Sequence, residues 1–148
     1  MKISRIVMAV DESPRAEDVV QAGAELGRRF GATVHPLRVI EVPPEFPAAA
    51  AGNPPDQLTA RMVDSARAGV DELLARAAPG APFEPTVVRA GVPWLIITAL
   101  ADELEADLVV MGSHGYHGWD RILGTTTLNV VKRSSLNVFV VHRREPVP

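Results

Sequence analysis

The chain has 148 residues, of which 47% are hydrophobic and 22% charged, so we expect one domain over residues 1–148 with a core large enough to fold without disulfides. Its formal net charge of −3 at pH 7 argues against a protein that binds nucleic acid or anionic membranes through a basic surface. It contains no cysteine, which excludes disulfides, thiolate nucleophiles and cysteine-based zinc sites.

The chain begins with a short apolar run and an amphipathic segment. Ile3–Val10 is rich in Ile and Val without polar alternation, which is typical of a strand buried on both faces. The turn cluster after it predicts a helix that Ser13 caps and Pro14 opens. Apolar residues recur at helical spacing as far as Phe30, and Gly31 ends the helix. No signal-peptide pattern precedes the strand, and no apolar run approaches the ~20 residues of a membrane helix, so we expect a cytoplasmic protein.

A second strand and a second helix flank a segment rich in proline and alanine. Thr33–Ile40 predicts the strand, although Pro36 is awkward for a central position in a sheet. The segment Glu41–Asp56 holds five prolines and four consecutive alanines, so we expect a flexible surface loop at about residues 42–57. The apolar spacing from Leu58 to Ala77 predicts the second helix.

The second half of the chain contains three more strand-like runs and two more helices. The strands are predicted at Pro85–Arg89, Asp107–Met111 and Val138–Val141. Pro93 opens one helix, and Thr125–Arg133 is the other. Strands that alternate with helices predict right-handed crossovers and a parallel sheet covered on both faces. In such sheets ligands bind at the carboxyl ends of the strands.

A glycine-containing loop follows the fourth strand. It begins Met111-Gly112-Ser113-His114-Gly115 and ends at Gly124, where Thr125 and Thr126 open the last helix. Glycines allow close approach of backbone amides to an anion and permit positive φ, and a helix N-terminus adds unpaired N–H groups and partial positive charge. The loop therefore predicts a phosphate site. Spacing alone equally allows glycines that only shape a turn and a Thr125 that only caps the helix.

Two other chemistries fit this loop less well. His114 and His117 could ligate a metal, but no carboxylate lies beside them at helical spacing. Ser113, His114 and Asp120 suggest a catalytic triad, yet adjacency of Ser and His in the chain does not place the hydroxyl against the imidazole. No set of residues is typical of a general base that activates water for attack on a terminal phosphate. Efficient hydrolysis of a phosphate-bearing ligand is therefore not predicted, and the sequence does not exclude slow hydrolysis.

Several separated motifs, in order along the chain, resemble the universal stress protein family. They are Ile6-Val7-Met8-Ala9-Val10-Asp11 with a following Ser, Gly91-Val92-Pro93, Ala106 through Gly115, Gly124-Thr125 and Val138-Phe139-Val140-Val141. The resemblance covers essentially the whole chain except the proline- and alanine-rich segment. It implies a three-layer α/β/α fold of the adenine nucleotide alpha hydrolase-like type, with a five-stranded parallel sheet of order 3-2-1-4-5. It also implies a homodimer, for which pairing of the edge strand Val138–Val141 is a natural route.

The resemblance further implies an ATP site, with Mg²⁺ accompanying the triphosphate. The phosphate residues carried over from the family motif are Gly112, Gly115, Gly124 and Thr125, with Met111, His114 and Thr126 beside them. Asp11 matches the acidic residue near the adenine or ribose, and Val39 the apolar residue against the adenine. Ala9 and Val10 would supply backbone contacts. The function implied is that of a small adenine-nucleotide-binding regulatory protein of the stress response.

One spacing departs from the family motif, and two alternative functions follow. The motif has nine residues between its second and third glycines, whereas Tyr116–Leu123 supplies eight. We expect a loop shortened by one, because Gly124 then keeps the small residue at the turn. A dimeric scaffold that binds no nucleotide is the main alternative. An adenylating enzyme is less favoured, because its glycine-rich loop after the first strand is replaced by Asp11-Glu12-Ser13-Pro14.

Overall fold

The computed structural model describes residues 1–41, 55–113 and 124–142, of which residues 55–59 are described by their backbone only. Within these ranges the strands are β1 Arg5–Ala9, β2 Thr33–Ile40, β3 Val87–Ala90, β4 Leu108–Gly112 and β5 Asn137–Val141. The helices there are α1 Ala16–Phe30, α2 Pro55–Ala77, α3 Pro93–Glu103 and α4 Thr125–Arg133. None of these helices is both long and apolar enough to cross a membrane.

The strands form one parallel sheet in the order β3-β2-β1-β4-β5. This is the order that the resemblance to the family implied. One apolar cluster joins the sheet to α1 and α2, and a second joins its other face to α3 and α4. The central strand β1 supplies both: Ile6 and Met8 face the first cluster, and Val7 faces the second. All three side chains are fully buried, which explains why this run lacks polar alternation.

The helix α1 begins later than the sequence predicted. Ser13 was expected to cap it, but the first helical residue is Ala16 and no side chain caps the helix. Asp11 instead accepts the N–H of Ser13 at 2.9 Å, and the Ser13 hydroxyl accepts the N–H of Arg15 at 3.3 Å. These short polar side chains bond to the local backbone and form a turn before the helix.

One further helix boundary and one strand residue refine the prediction. The helix α2 begins at Pro55, so residues 55–57 are helical instead of belonging to the loop, of which residues 42–54 lie outside the described ranges. Pro36 is buried within β2, an interior strand of the sheet, and pairs with Met8 of β1. Proline is tolerated there because the backbone N–H and C=O groups of the even-numbered residues of β2 point toward β3. Regular pairing with β3 begins only at Leu37, after the isolated Val34–Phe83 bridge. At position 36, therefore, no carbonyl of β3 requires the N–H that proline lacks.

The amino-terminal edge of the sheet is closed by polar contacts around one carboxylate. Asp107 accepts the N–H groups of Ser4 at 2.7 Å and Arg5 at 3.0 Å. These two bonds hold the pKa of the Asp107 carboxyl below its ordinary value. Asn137 donates to the Asp107 carbonyl oxygen at 2.9 Å, which ties β5 to the same place. The end of the sheet that these contacts leave open is the one formed by the carboxyl ends of the strands.

Candidate functional site

A cavity of about 550 Å³ lies at the carboxyl ends of β1, β2 and β4. The sheet order places it where the chain leaves β1 toward β2 and later returns to β4, the position at which parallel α/β sheets bind ligands. Its size is in the range of small-molecule sites. Its lining includes nine of the eleven residues singled out from the sequence: Ala9, Val10, Asp11, Val39, Met111, Gly112, Gly124, Thr125 and Thr126.

The other two residues singled out from the sequence, His114 and Gly115, lie outside the described residues. The cavity also contains residues that the sequence analysis missed: Glu12, Leu37, Arg38, Ile40, Glu41, Pro93, Ile97 and Thr127. Most of them adjoin a residue that was found, on the same strand end or helix start. Ile97 carries no such signal, because only the packing of α3 against the sheet brings it to the cavity.

One wall of the cavity is apolar. Leu37, Ile97 and Met111 are almost completely buried, and Val39 is half-buried beside them. All four belong to the cluster on the α3 face of the sheet. Strand alternation explains this, because Leu37 and Val39 are two apart on β2 and so point to the same face. A flat apolar ring system would exclude water from the exposed part of Val39 on binding, since the other three side chains are already buried.

A second part of the wall is the N-terminus of α4. Its N-cap is Gly124, no side chain caps the helix, and its first turn contains no acidic residue. The first amides of an α-helix have no intrahelical acceptor, and those of Thr125 and Thr126 have no other acceptor among the described residues, so they can bind an anion. Thr125 is exposed and Thr126 half-buried, so both hydroxyls lie within reach of the cavity. This arrangement suits a phosphate.

Gly112 and Gly124 of this wall lack the positive φ that was one of the two reasons to expect glycine there. Gly124 has φ −57°, and the glycines with positive φ in the described part of the chain are Gly31, Gly80 and Gly91, none of which lines the cavity. A Cβ on Gly112 would lie 3.5 Å from Cγ2 of Val19, an ordinary contact. Positive φ is therefore not the reason for glycine at position 112 or 124.

Hydrogen bonds join the end of β4 to the start of α4. The Gly124 N–H donates to the Ser113 carbonyl oxygen at 2.7 Å, and the Thr127 hydroxyl donates to the Gly112 carbonyl oxygen at 2.8 Å. At the far end of α4, the Arg133 guanidinium lies 5.2 Å from the centre of the Trp94 ring of α3. These contacts fix the direction in which the helix N-terminus points.

The strand ends next to the apolar wall are acidic. Asp11, Glu12 and Glu41 line the cavity there with one cation, Arg38. Arg38 pairs with Glu12 at 3.3 Å, and its side chain is only 18% exposed. In the described part of the chain, no group of three or more His, Cys, Asp or Glu residues could hold a metal ion. Carboxylates at this end can accept hydrogen bonds from an amino group or from sugar hydroxyls.

Comparison with known sequences gives one family match and one relative over the full chain. The model of the universal stress protein family matches residues 2–142. The protein "Universal stress protein A homolog 1" of Coxiella burnetii is 30% identical over 146 residues, which cover 98% of this chain and 100% of the relative.

Solved structures share the fold. MJ0577 of Methanocaldococcus jannaschii aligns with a TM-score of 0.77 and 24% identity over 99% of this chain and 100% of its own. A universal stress protein in complex with cAMP aligns with a TM-score of 0.67 and 24% identity, covering 96% and 99% of the two chains. One from Archaeoglobus fulgidus in complex with dAMP aligns with a TM-score of 0.64 and 23% identity, covering 96% and 100%.

Proposed function

The chain belongs to the universal stress protein family, and on that premise we propose that it binds adenine nucleotides, ATP with Mg²⁺ among them, in the cavity at the carboxyl edge of its sheet. One observation carries the proposal: a single cavity is lined both by apolar side chains and by an uncapped helix N-terminus. A base and a phosphate require these two environments. The cAMP and dAMP complexes of proteins with this fold support the choice of adenine.

In this proposal the adenine packs against Val39, with Ile97 and Met111 behind it. The backbone of Ala9 and Val10 and the carboxylate of Asp11 meet the polar edge of the nucleoside. The phosphates lie at Gly112, Gly124 and the first turn of α4, where Thr125 and Thr126 supply amides and hydroxyls. His114 and Gly115 would complete the phosphate site from the loop. Mg²⁺ would arrive with the triphosphate, and nucleotide occupancy would serve a regulatory role in the stress response.

The proposal includes a homodimer through β5. This strand lies at the edge of the sheet. The side chain of Phe139 on β5 is 44% exposed, and that of Val131 on α4 is 45% exposed. Pairing of Val138–Val141 with a second copy would cover an unpaired strand edge. Light scattering during gel filtration at high concentration tests this: a strict monomer would contradict it. The expected cytoplasmic location stays a prediction, which cell fractionation tests.

The first experiment asks whether a nucleotide is bound at all. The purified protein is denatured and the released small molecules are identified by mass spectrometry, and the nucleotide-free protein is titrated with AMP, ADP, ATP and ATP with Mg²⁺ by calorimetry. We expect binding of adenine nucleotides. If none is released and none binds, the non-nucleotide scaffold replaces this proposal.

A second experiment places the base. We expect Val39→Asp to weaken AMP and adenosine alike by about tenfold or more, because it removes apolar contact and adds a desolvated carboxylate. Val87→Asp is the matched control, since Val87 is half-buried on the same face of the sheet, packs against the same cluster and does not line the cavity. Equal binding by the wild type and Val39→Asp would place the adenine elsewhere.

A further inference from the structure

The hydroxyl of Thr127 lies at the centre of the proposed phosphate site without belonging to the motif that predicted it. Thr127 is the third residue of α4 and is 3% exposed. Its hydroxyl donates at 2.8 Å to the carbonyl oxygen of Gly112, the last residue of β4. Threonine at this position in a helix commonly serves its own helix, so a bond to a neighbouring strand needs another explanation.

The direction of the Gly112 carbonyl supplies that explanation. The N–H of Ser113 donates to Val141 on β5 at 3.0 Å. The Gly112–Ser113 peptide bond is trans, so the Gly112 carbonyl oxygen points to the opposite side, toward β1. The last pair between β1 and β4 is Met8 with Val110. The carbonyl therefore has no strand partner and lies at the crevice that forms the cavity.

An unpaired carbonyl at this place would disfavour an anion. Its oxygen carries the negative end of the peptide dipole, and it lies on the same wall as the amides proposed to bind phosphate. The Thr127 hydroxyl donates a hydrogen bond to it, and the Gly124 N–H donates one to the Ser113 carbonyl oxygen at 2.7 Å. These two bonds also hold the first turn of α4 against β4, so that its free amides face the cavity.

We propose that Thr127 is a positioning residue of the phosphate site, which neutralises the Gly112 carbonyl and orients the first turn of α4 toward the phosphate. This inference rests on the proposed function, because it assigns a role within that site. It implies that the Thr127 hydroxyl contributes to the affinity for a phosphate-bearing ligand and not to that for the nucleoside.

The test compares AMP with adenosine in the full-length protein by calorimetry. Thr127→Val removes the hydroxyl at nearly constant shape, and we expect it to weaken AMP by about threefold to tenfold, the value of one hydrogen bond. Adenosine affinity should stay within about twofold, because the nucleoside lacks the group that the hydroxyl serves. Thr127→Ser keeps the hydroxyl and should restore AMP binding. Thr127→Ala, which favours helix, repeats the measurement if the valine variant does not fold.

Thr98→Val is the matched control, since Thr98 is half-buried on α3 and its hydroxyl also bonds to carbonyl oxygens, those of Trp94 at 3.0 Å and Leu95 at 3.1 Å. It should leave the ratio of AMP to adenosine affinity unchanged. Equal weakening of both ligands by Thr127→Val, or unchanged AMP binding, would overturn the inference while the proposed function stands. A wild-type protein that binds neither ligand overturns both.

Discussion

The N-termini of α1 and α4 both lie at the carboxyl ends of the strands. Acidic side chains complement the helix dipole at the start of α1 but not at the start of α4. The first turn of α1 contains Glu17 and Asp18, whose charges offset the partial positive charge of the helix start. The first turn of α4 contains three threonines and no acidic residue. Two helix ends with the same backbone chemistry therefore differ in what they can bind, and only that of α4 is left electrostatically open to an anion.

The two helices also differ in how they meet the sheet. α1 packs closely on the sheet at two glycines, where a side chain would not fit. A Cβ on Gly27 would lie 2.5 Å from Cγ2 of Val34, and one on Gly23 would lie 2.3 Å from the sulfur of Met8. α4 instead is tied to β4 by the bonds of Gly124 and Thr127. The start of α1 is thus a structural element, whereas the start of α4 is the candidate ligand site. Three substitutions test this division.

The largest effect is expected when α4 is made to resemble α1. Thr125→Glu places a carboxylate where the phosphate would lie, so AMP and ATP affinity should fall by about 100-fold through charge repulsion. The same carboxylate complements the helix dipole and should raise the free energy of unfolding by about 0.3–1 kcal/mol. Calorimetry and urea denaturation measure the two effects.

The neutral control for this change is Thr125→Gln, which has the shape of Glu without its charge. It should bind AMP far better than Thr125→Glu. Adenosine should bind both variants equally, because it carries no phosphate. Unchanged AMP affinity in Thr125→Glu would contradict the contrast between the two helix starts.

A smaller effect on stability is expected from the packing of α1. Gly27→Ala should lower the free energy of unfolding by about 1–2 kcal/mol, because the stiff, buried Val34 cannot move away from the new methyl group. Gly69→Ala in α2 is the matched control, since no described atom outside the neighbouring residues and backbone of its own helix lies within 4 Å of its Cβ position. It should raise stability by about 0.5–1 kcal/mol through helix propensity. Equal effects of the two changes in urea denaturation would show that α1 is not fixed by close packing.

The smallest effect concerns the charges of α1. Replacing Glu17 with Gln and Asp18 with Asn together should lower the free energy of unfolding by about 1 kcal/mol or less, because the helix dipole loses its complement. AMP affinity should stay within about twofold, and the loss of stability should shrink at high salt. An AMP affinity that rises several-fold in this variant would show that the start of α1 competes for the phosphate.

The sequence by itself determined the fold to within a few residues. The unbroken apolar run at β1 predicted a strand buried on both faces, and the resemblance to the universal stress protein family implied the sheet order 3-2-1-4-5. Nine of the residues that line the cavity could be named in advance because the resemblance to the family carries its motif onto strand ends and a helix start of this chain. These features depend on residues close together in the chain.

Tertiary structure alone decided the rest. Ile97 reaches the cavity only because α3 packs on the sheet, and Thr127 bonds to Gly112, fifteen positions away, only because β4 and α4 meet there. The start of α1 moved from Ser13 to Ala16 because hydrogen bonds within the turn competed with the cap. Local pattern fixes which residues can form an element, whereas the partner of a polar group depends on which elements the packing brings together.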